Sequence, residues 1–200
     1  MTPADRTSAP LPVAPRPRRV LVGMTGASGA IYGIDFLRAF PGESHLVISK
    51  WARMVIHTEV GVSEKELDSL VQSVHPDHDL SSPFASGTNR HDAFVILPAS
   101  ASTVGKIAAG IADTLITRAA MVAMKERMPL VIGIRETPLS TITLEALHKL
   151  SLAGAIVFPL SPPFYSNPKT LDELVRATTN KILRLVGVDV PGGWREEDLE

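Results

Sequence analysis

The chain has 200 residues, of which 44% are hydrophobic, and its 20 basic and 21 acidic side chains give a formal net charge of -1. This composition suits one α/β domain with a full core, and the balanced charge argues against nucleic acid or an acidic membrane as a partner. The absence of cysteine excludes disulfides, a thiolate nucleophile and a cysteine-bound metal.

No apolar run in the sequence reaches transmembrane length. Residues 1–18 are rich in proline and arginine but lack the apolar segment of a signal peptide. We therefore expect a disordered leader and a cytoplasmic protein.

The first element is a short apolar run from Arg19 to Met24 that breaks at a small-residue turn and resumes as a helical pattern. This predicts the first βα unit of a doubly wound, Rossmann-like parallel sheet with helices on both faces. Gly26 and Gly29 would let the backbone approach a phosphate, to which Ser28 could donate. The alternative is a tight turn in which Ser28 only caps the helix.

A second strand is predicted over 44–49, and it ends in Ser49 and Lys50. No acidic residue stands there to hold the ribose of NAD, although Lys50 leaves NADP open. A helix from about Trp51 leads to Glu59, which is of functional interest only if it faces a pocket. An amphipathic helix is predicted over 63–74. The following segment, 75–79, is more typical of a solvated turn than of a metal site.

A strand over 93–97 runs into Ser100, Ser102 and Thr103, followed by a helix predicted over 104–111. This repeats the arrangement around Ser28. Two such turns at the carboxyl edge of one sheet would flank a single crevice, where α/β sheets bind ligands. The alternative is that these hydroxyls only cap the helix.

The second half of the chain continues the alternation, with helices predicted over 115–127, 141–152 and 171–186 and strands over 128–134 and 155–158. Arg135 and Glu136 directly follow a buried strand, which places a charge pair at the ligand edge of the sheet. Trp194 lies in a hydrophilic tail and needs a lid role or a subunit contact to bury it.

Taken together, the motifs resemble the UbiX-type flavin prenyltransferases, within the homo-oligomeric flavin-containing decarboxylase-like proteins. The resemblance runs from Arg19 to Val188, and its most specific part is Lys-Glu-Arg-x-Pro-Leu-Val followed by Arg-Glu-Thr-Pro-Leu. It is carried by these segments: 25–30, 48–50, 58–59, 85–87, 117–120, 124–127, 129–131, 135–139 and 164–165.

The resemblance implies a flavoprotein domain over 19–188 and a polar tail over 189–200. Such proteins bind reduced FMN and dimethylallyl phosphate at a subunit interface, usually in trimer-based dodecamers. They join the prenyl group to N5 and C6 of the flavin without a required metal. The product, prenylated FMN, serves a UbiD-type decarboxylase.

The resemblance also implies roles for individual residues. Glu59 and Glu136 would move protons, with Ser28 and Lys125 as further catalytic groups, and Trp194 would cover the site. The flavin would be held by Gly26, Ala27, Ser28, Ser49, Ser100, Ala101, Ser102, Thr103 and Arg135. The prenyl phosphate would be bound by Arg118, Lys125, Arg135, Tyr165, Lys181 and Trp194.

Two departures from the family pattern matter. Lys181 stands where some relatives have arginine, so a forked phosphate contact becomes a point charge. The run from Pro98 to Thr103 also resembles a motif of flavin-dependent cysteine decarboxylases, with Ser102 replacing asparagine. That alternative needs a catalytic histidine, for which His57 is a candidate, and a Met-Asn dipeptide that the sequence lacks. A third possibility is a flavin-binding partner subunit without chemistry of its own.

Overall fold

The structure, a computed structural model, describes residues 19–191. Its centre is one six-stranded sheet in the order β3-β2-β1-β4-β5-β6, in which all neighbouring strands are parallel. The doubly wound sheet predicted from the sequence is therefore confirmed. The strands are β1 (Arg19–Met24), β2 (Glu43–Ile48), β3 (Ser73–Pro76), β4 (Ala93–Ala99), β5 (Leu130–Ile134) and β6 (Ile156–Pro159).

Every α-helix after the first begins where a hydroxyl side chain caps its first turn, and the caps explain several boundaries. Ser100 accepts from the Thr103 amide, so the fourth helix begins at Ala101 rather than at the predicted Val104. The helices are α1 (Ala30–Ala39), α2 (Lys50–Val60), α3 (Glu64–Ser69), α4 (Ala101–Ala108), α5 (Leu115–Lys125), α6 (Thr141–Leu152) and α7 (Leu171–Leu185), with a 3₁₀ turn at Pro83–Ala85. No helix within residues 19–191 is long and apolar enough to cross a membrane.

The sheet separates two hydrophobic cores, as the period-2 alternation of strand side chains requires. Val20 and Val22 of β1 point to one face, where Ile182 of α7 also packs. Leu21 points to the other face, into the core that contains Ile116 of α5. Both faces of the sheet are thus covered, which explains why the strands read as continuous apolar runs.

The prediction of one helix over 63–74 is wrong. The helix ends at Ser69, and residues 73–76 form the edge strand β3, which pairs in parallel with β2. Pro76 is the last residue of this strand, and an edge strand tolerates its missing N–H group. Pairing with β2 is a long-range effect that the helical spacing of the apolar residues concealed.

The prediction that 75–79 is a solvated turn is also wrong for its first residues. The His75 ring is 2.7 Å from the Ser73 hydroxyl and 3.1 Å from the Ser82 hydroxyl. The Asp77 carboxylate accepts from the Ile116 amide at 2.8 Å, at the start of α5. Burial raises the pKa of Asp77. Among residues 19–191 no three potential metal ligands cluster.

Candidate functional site

Thr25 joins the two predicted ligand turns to each other. Its amide and its hydroxyl both donate to the Pro98 carbonyl, at 3.1 and 2.9 Å, and the hydroxyl accepts from the Ser100 amide at 2.8 Å. The Ser49 amide donates to the Met24 carbonyl at 3.1 Å. The carboxyl ends of β1, β2 and β4 therefore meet in one crevice, at the point where the strand order reverses.

The amino end of α1 is already paired with an acidic side chain. The Glu59 carboxylate accepts from the amides of Gly29 and Ala30, at 2.8 and 3.0 Å, and from the Ser28 hydroxyl. Gly29 has a φ of 97°, a left-handed conformation that favours glycine. The turn after β1, which the sequence predicted to bind a ligand anion, thus holds an internal carboxylate through its Gly29 and Ala30 amides.

The environment of Glu59 keeps its carboxylate ionised. Partial burial has the largest single effect on its pKa, which it raises. The hydrogen bonds from Ser28, Gly29 and Ala30, together with the positive charge of Arg135, outweigh burial and lower the pKa below its ordinary value. Glu59 is therefore an ionised hydrogen-bond acceptor near neutral pH.

The amino end of α4 carries three hydroxyl groups in one cluster. The Ser100 oxygen is 3.1 Å from that of Ser102 and 3.0 Å from that of Thr103. Arg135 is tied to this turn, since its amide donates to the Ala99 carbonyl at 3.3 Å. A Cβ added at Gly29 would lie 3.8 Å from the Arg135 Cγ, so this cation lies between the two turns.

This donor set fits a phosphate-bearing cofactor. Hydroxyl groups, a helix amino end and a guanidinium are the groups that bind phosphate in proteins. The exposed Glu136 follows Arg135, and its carboxylate accepts from the Thr137 amide at 3.1 Å. Among the predicted residues, the structure brings together Gly26, Ala27, Ser28, Ser49, Glu59, Ser100, Ala101, Ser102, Thr103, Arg135 and Glu136.

Tyr165 and Lys181 line a second space. It is a cavity of about 990 Å³ over α1 and α7, which we call the α1–α7 cavity. Its wall includes the ion pair between Asp35 and Arg176, whose atoms are 2.6 Å apart. Neither Ser28 nor Arg135 lines this cavity.

Arg118 and Lys125 lie on the exposed stripe of α5, at opposite ends of the helix. The helix begins at the carboxyl edge, where the Leu115 amide donates to the Asp77 carbonyl at 2.7 Å. It ends at the amino edge, where Arg90, just before β4, donates to the Glu126 carbonyl at 3.5 Å. Lys125 is therefore separated from the crevice by the length of the strands, roughly 16 Å for a five-residue strand.

Two predicted features fall elsewhere. Trp194 and the predicted leader lie outside residues 19–191. His57, the histidine of the decarboxylase alternative, is exposed in the last turn of α2 and forms part of a shallow pocket with Arg53 and Val62. Sequence reasoning also missed Thr25, for which the signal was a hydroxyl directly after a buried apolar run.

The comparisons with known proteins agree with the resemblance. The family model for Flavoprotein matches residues 9–186. The flavin prenyltransferase UbiX of Thermoplasma acidophilum is 47% identical over 171 residues, which cover 85% of this chain and 95% of that protein. The chain belongs to the UbiX flavin prenyltransferase family.

Solved UbiX-type structures have the same fold. The crystal structure of AnUbiX (PadA1) in complex with FMN and dimethylallyl pyrophosphate superposes with a TM-score of 0.84 at 37% identity, covering 90% of this chain and all of that one (100%). A dodecameric FMN-dependent UbiX-like decarboxylase from Escherichia coli O157:H7 gives a TM-score of 0.84 at 38% identity, with 88% of this chain and 98% of that chain covered.

Proposed function

We propose that this protein is a flavin prenyltransferase that joins the dimethylallyl group of dimethylallyl phosphate to N5 and C6 of reduced FMN. The observation that carries the proposal is the crevice in which Ser28, Glu59 and Arg135 converge beside the α4 hydroxyl cluster, in a chain of the UbiX family. The product would be prenylated FMN, supplied to a UbiD-type decarboxylase. A cytoplasmic location stays a prediction.

The flavin would be held at the carboxyl edge of the sheet. The hydroxyls of Ser100, Ser102 and Thr103 and the guanidinium of Arg135 offer donors to its phosphate, while Ser49 and the 26–28 turn border the crevice. Reduced FMN supplies the two nucleophilic atoms that accept the five-carbon group. The protein's own contribution is to hold both reactants, keep water out and move protons.

Breaking the allylic C–O bond develops negative charge on the leaving phosphate. Preorganised cations and hydroxyls stabilise such charge, and in the assembled oligomer this would be done by Arg118, Lys125, Arg135, Tyr165 and Lys181. In the balanced reaction the donor C–O bond breaks and one N–C and one C–C bond form. The phosphate takes the proton released at N5. C6 also loses a proton, and this loss is balanced by the proton that the prenyl double bond takes up.

Two carboxylates would handle these protons. Glu59 accepts the Ser28 hydroxyl hydrogen bond, so a proton can pass from Ser28 to Glu59 and back. Glu136 follows Arg135 at the same edge of the sheet and would carry out the second proton transfer. No metal ion has a part in these steps.

The position of Lys125 supports an oligomeric enzyme. Lys125 lies at the amino edge of its own sheet, so it would reach a prenyl phosphate only in the crevice of another copy. We propose a homo-oligomer, with a trimer-based dodecamer as the expected form, in which each site takes residues from more than one chain. Trp194 would cover the assembled site.

The proposed activity is tested by anaerobic incubation of the purified protein with reduced FMN and dimethylallyl phosphate, followed by mass spectrometry of the released flavin. We expect a flavin heavier by one C5H8 unit, and equimolar inorganic phosphate. Unmodified FMN released from a protein that binds it would contradict the proposal.

A further inference from the structure

Within residues 19–191, Lys125 has one ionic partner, its chain neighbour Glu126. The Lys125 Nζ lies 3.1 Å from the Glu126 Oε1, and the lysine side chain is 62% exposed. Glu126 caps the end of α5, where its amide donates to the Val122 carbonyl at 3.0 Å. Exposed ion pairs of this kind contribute little to the free energy of folding by themselves.

The Glu126 carboxylate also lies directly beside Gly87. A Cβ added at Gly87 would lie 2.5 Å from the Glu126 Oε1 and 3.0 Å from its Cδ. The carboxylate therefore rests in the space that any larger residue at position 87 would fill. Gly87 does not adopt a left-handed conformation, so an added Cβ would meet the Glu126 side chain without straining the backbone.

The loop that carries Gly87 is itself held in place. The Asn89 side chain donates to the Pro83 carbonyl at 3.1 Å, and the hydroxyls of Ser86 and Thr88 are 2.9 Å apart. The Arg90 guanidinium donates to the Glu126 carbonyl at 3.5 Å. The loop therefore contacts the Glu126 backbone through Arg90, and it places Gly87 beside the Glu126 carboxylate.

We propose that Glu126 is a positioning residue for Lys125, and that Gly87 provides the seat for its carboxylate. A lysine ammonium is a point charge on a flexible four-carbon stem, and confining it before the substrate arrives reduces the entropy lost on binding. The ammonium has three donors, so it can bind a phosphate oxygen while it keeps Glu126. This inference rests on the proposed role of Lys125 in binding the prenyl phosphate.

The sharpest test is Gly87→Ala, which displaces the Glu126 carboxylate and removes no charge. The displaced atoms are the end of a flexible side chain, so the variant is expected to fold. We expect its KM for dimethylallyl phosphate to rise about tenfold, with kcat and FMN affinity within about twofold of wild type. Gly105→Ala is the matched control, because a Cβ at Gly105 meets no atom within 4 Å.

The same substitution in a Lys125→Met chain distinguishes an effect on the position of Lys125 from a structural role of the loop. In a Lys125→Met chain, calorimetric titration with dimethylallyl phosphate should give the same affinity with Gly87 and with Ala at position 87. The same loss in both backgrounds, or an unchanged KM for Gly87→Ala in the wild-type background, would overturn the inference and leave the proposed function intact. Absence of prenyl transfer by the wild-type chain would overturn both.

Discussion

At the scale of single residues, Thr25 shows how one buried hydroxyl can hold a ligand site together. It is 4% exposed and makes hydrogen bonds in both directions, to Pro98 and from Ser100. Thr25→Val keeps the shape and removes the hydroxyl, which leaves the Ser100 amide without its acceptor. We expect the free energy of unfolding to fall by about 1–3 kcal/mol.

Chemical denaturation measures this loss, with Thr25→Ser as the control that keeps the hydroxyl. We also expect Thr25→Val to bind FMN more weakly than Thr25→Ser, because the α4 turn is no longer fixed to the Ser28 turn. Equal stability of the valine and serine variants would show that these hydrogen bonds do not hold the crevice.

Two charged residues are predicted to act on the prenyl donor rather than on the flavin. Lys125→Ala and Glu136→Gln should each retain bound FMN and lose prenyl transfer by about 10²-fold or more, since each removes a charge or proton-transfer group that matters in the transition state. Flavin absorbance after gel filtration and mass spectrometry of the flavin give the two readouts.

Lys149→Ala and Glu145→Gln are suitable controls, because both positions are exposed on α6. These controls should turn over like wild type. Undiminished transfer in Lys125→Ala and Glu136→Gln would remove the proposed roles.

The sequence predicted the residue types of the crevice better than their partners. Ser28, Ser100 and Arg135 were recognisable because each follows a buried strand, and strand ends meet at one edge of a parallel sheet. The pairing of Glu59 with the α1 amides was not predictable, since Glu59 lies about thirty residues from Gly29 along the chain. Only the packing of α2 beside the first turn brings the two together.

At the scale of elements, local patterns located most strands and helices, and the errors lie where long-range pairing decides. The edge strand β3 was hidden because Leu67, Leu70 and Val74 have helical spacing. In the structure, the Gln72 side chain accepts from the Ser44 amide at 2.7 Å, and Ser73 pairs with His45. No local pattern reports such contacts with a neighbouring strand.

The buried histidine His91 leads us to expect that acid destabilises the fold. His91 is 4% exposed, between the rings of Phe84 and Phe94 at centroid distances of 5.9 and 6.1 Å. Burial lowers its pKa to about 4, helped by His45 and Arg19 and opposed by Asp92. Within residues 19–191 neither of its ring nitrogens has a hydrogen-bond partner.

A histidine whose pKa is depressed in the folded state destabilises the fold on acidification. Above its ordinary pKa of 6.5 both states are neutral and His91 has no effect. As the pH falls from about 6.5 to about 4, the unfolded chain takes up the proton first, at a total cost of about 3 kcal/mol.

Denaturation of wild type and His91→Leu between pH 7.5 and 4 measures this cost. The variant should gain stability relative to wild type as the pH falls, because its unfolded chain lacks the imidazole whose protonation favours unfolding. A constant difference between the two proteins across this range would contradict the assignment to His91.

At the scale of the whole molecule, one chain separates groups that the proposed reaction needs together. The crevice lies at the carboxyl edge, Lys125 at the amino edge, and Tyr165 with Lys181 in the α1–α7 cavity. Large apolar side chains are exposed around the same surfaces, among them Trp51 at 60%, Ile142 at 79% and Phe164 at 72%. Such exposure is typical of surfaces that a protein partner covers.

The sequence could not indicate this separation, because motifs state which residues are present and not which edge of the sheet they occupy. Lys125 precedes β5 while Arg135 follows it, so five strand residues place them on opposite edges. Topology alone makes the distinction, and under the proposed function it requires a site completed between copies of the chain.

The most direct test of this account is prenyl transfer by mixed oligomers of two inactive chains, Glu59→Gln and Lys125→Ala, co-expressed in equal amounts. If each site takes Glu59 from one chain and Lys125 from another, random assembly restores both residues in about a quarter of the sites. Mass spectrometry should then find C5H8-bearing flavin formed at about a quarter of the wild-type rate. Oligomers that bind FMN but form none of this product would contradict a shared site.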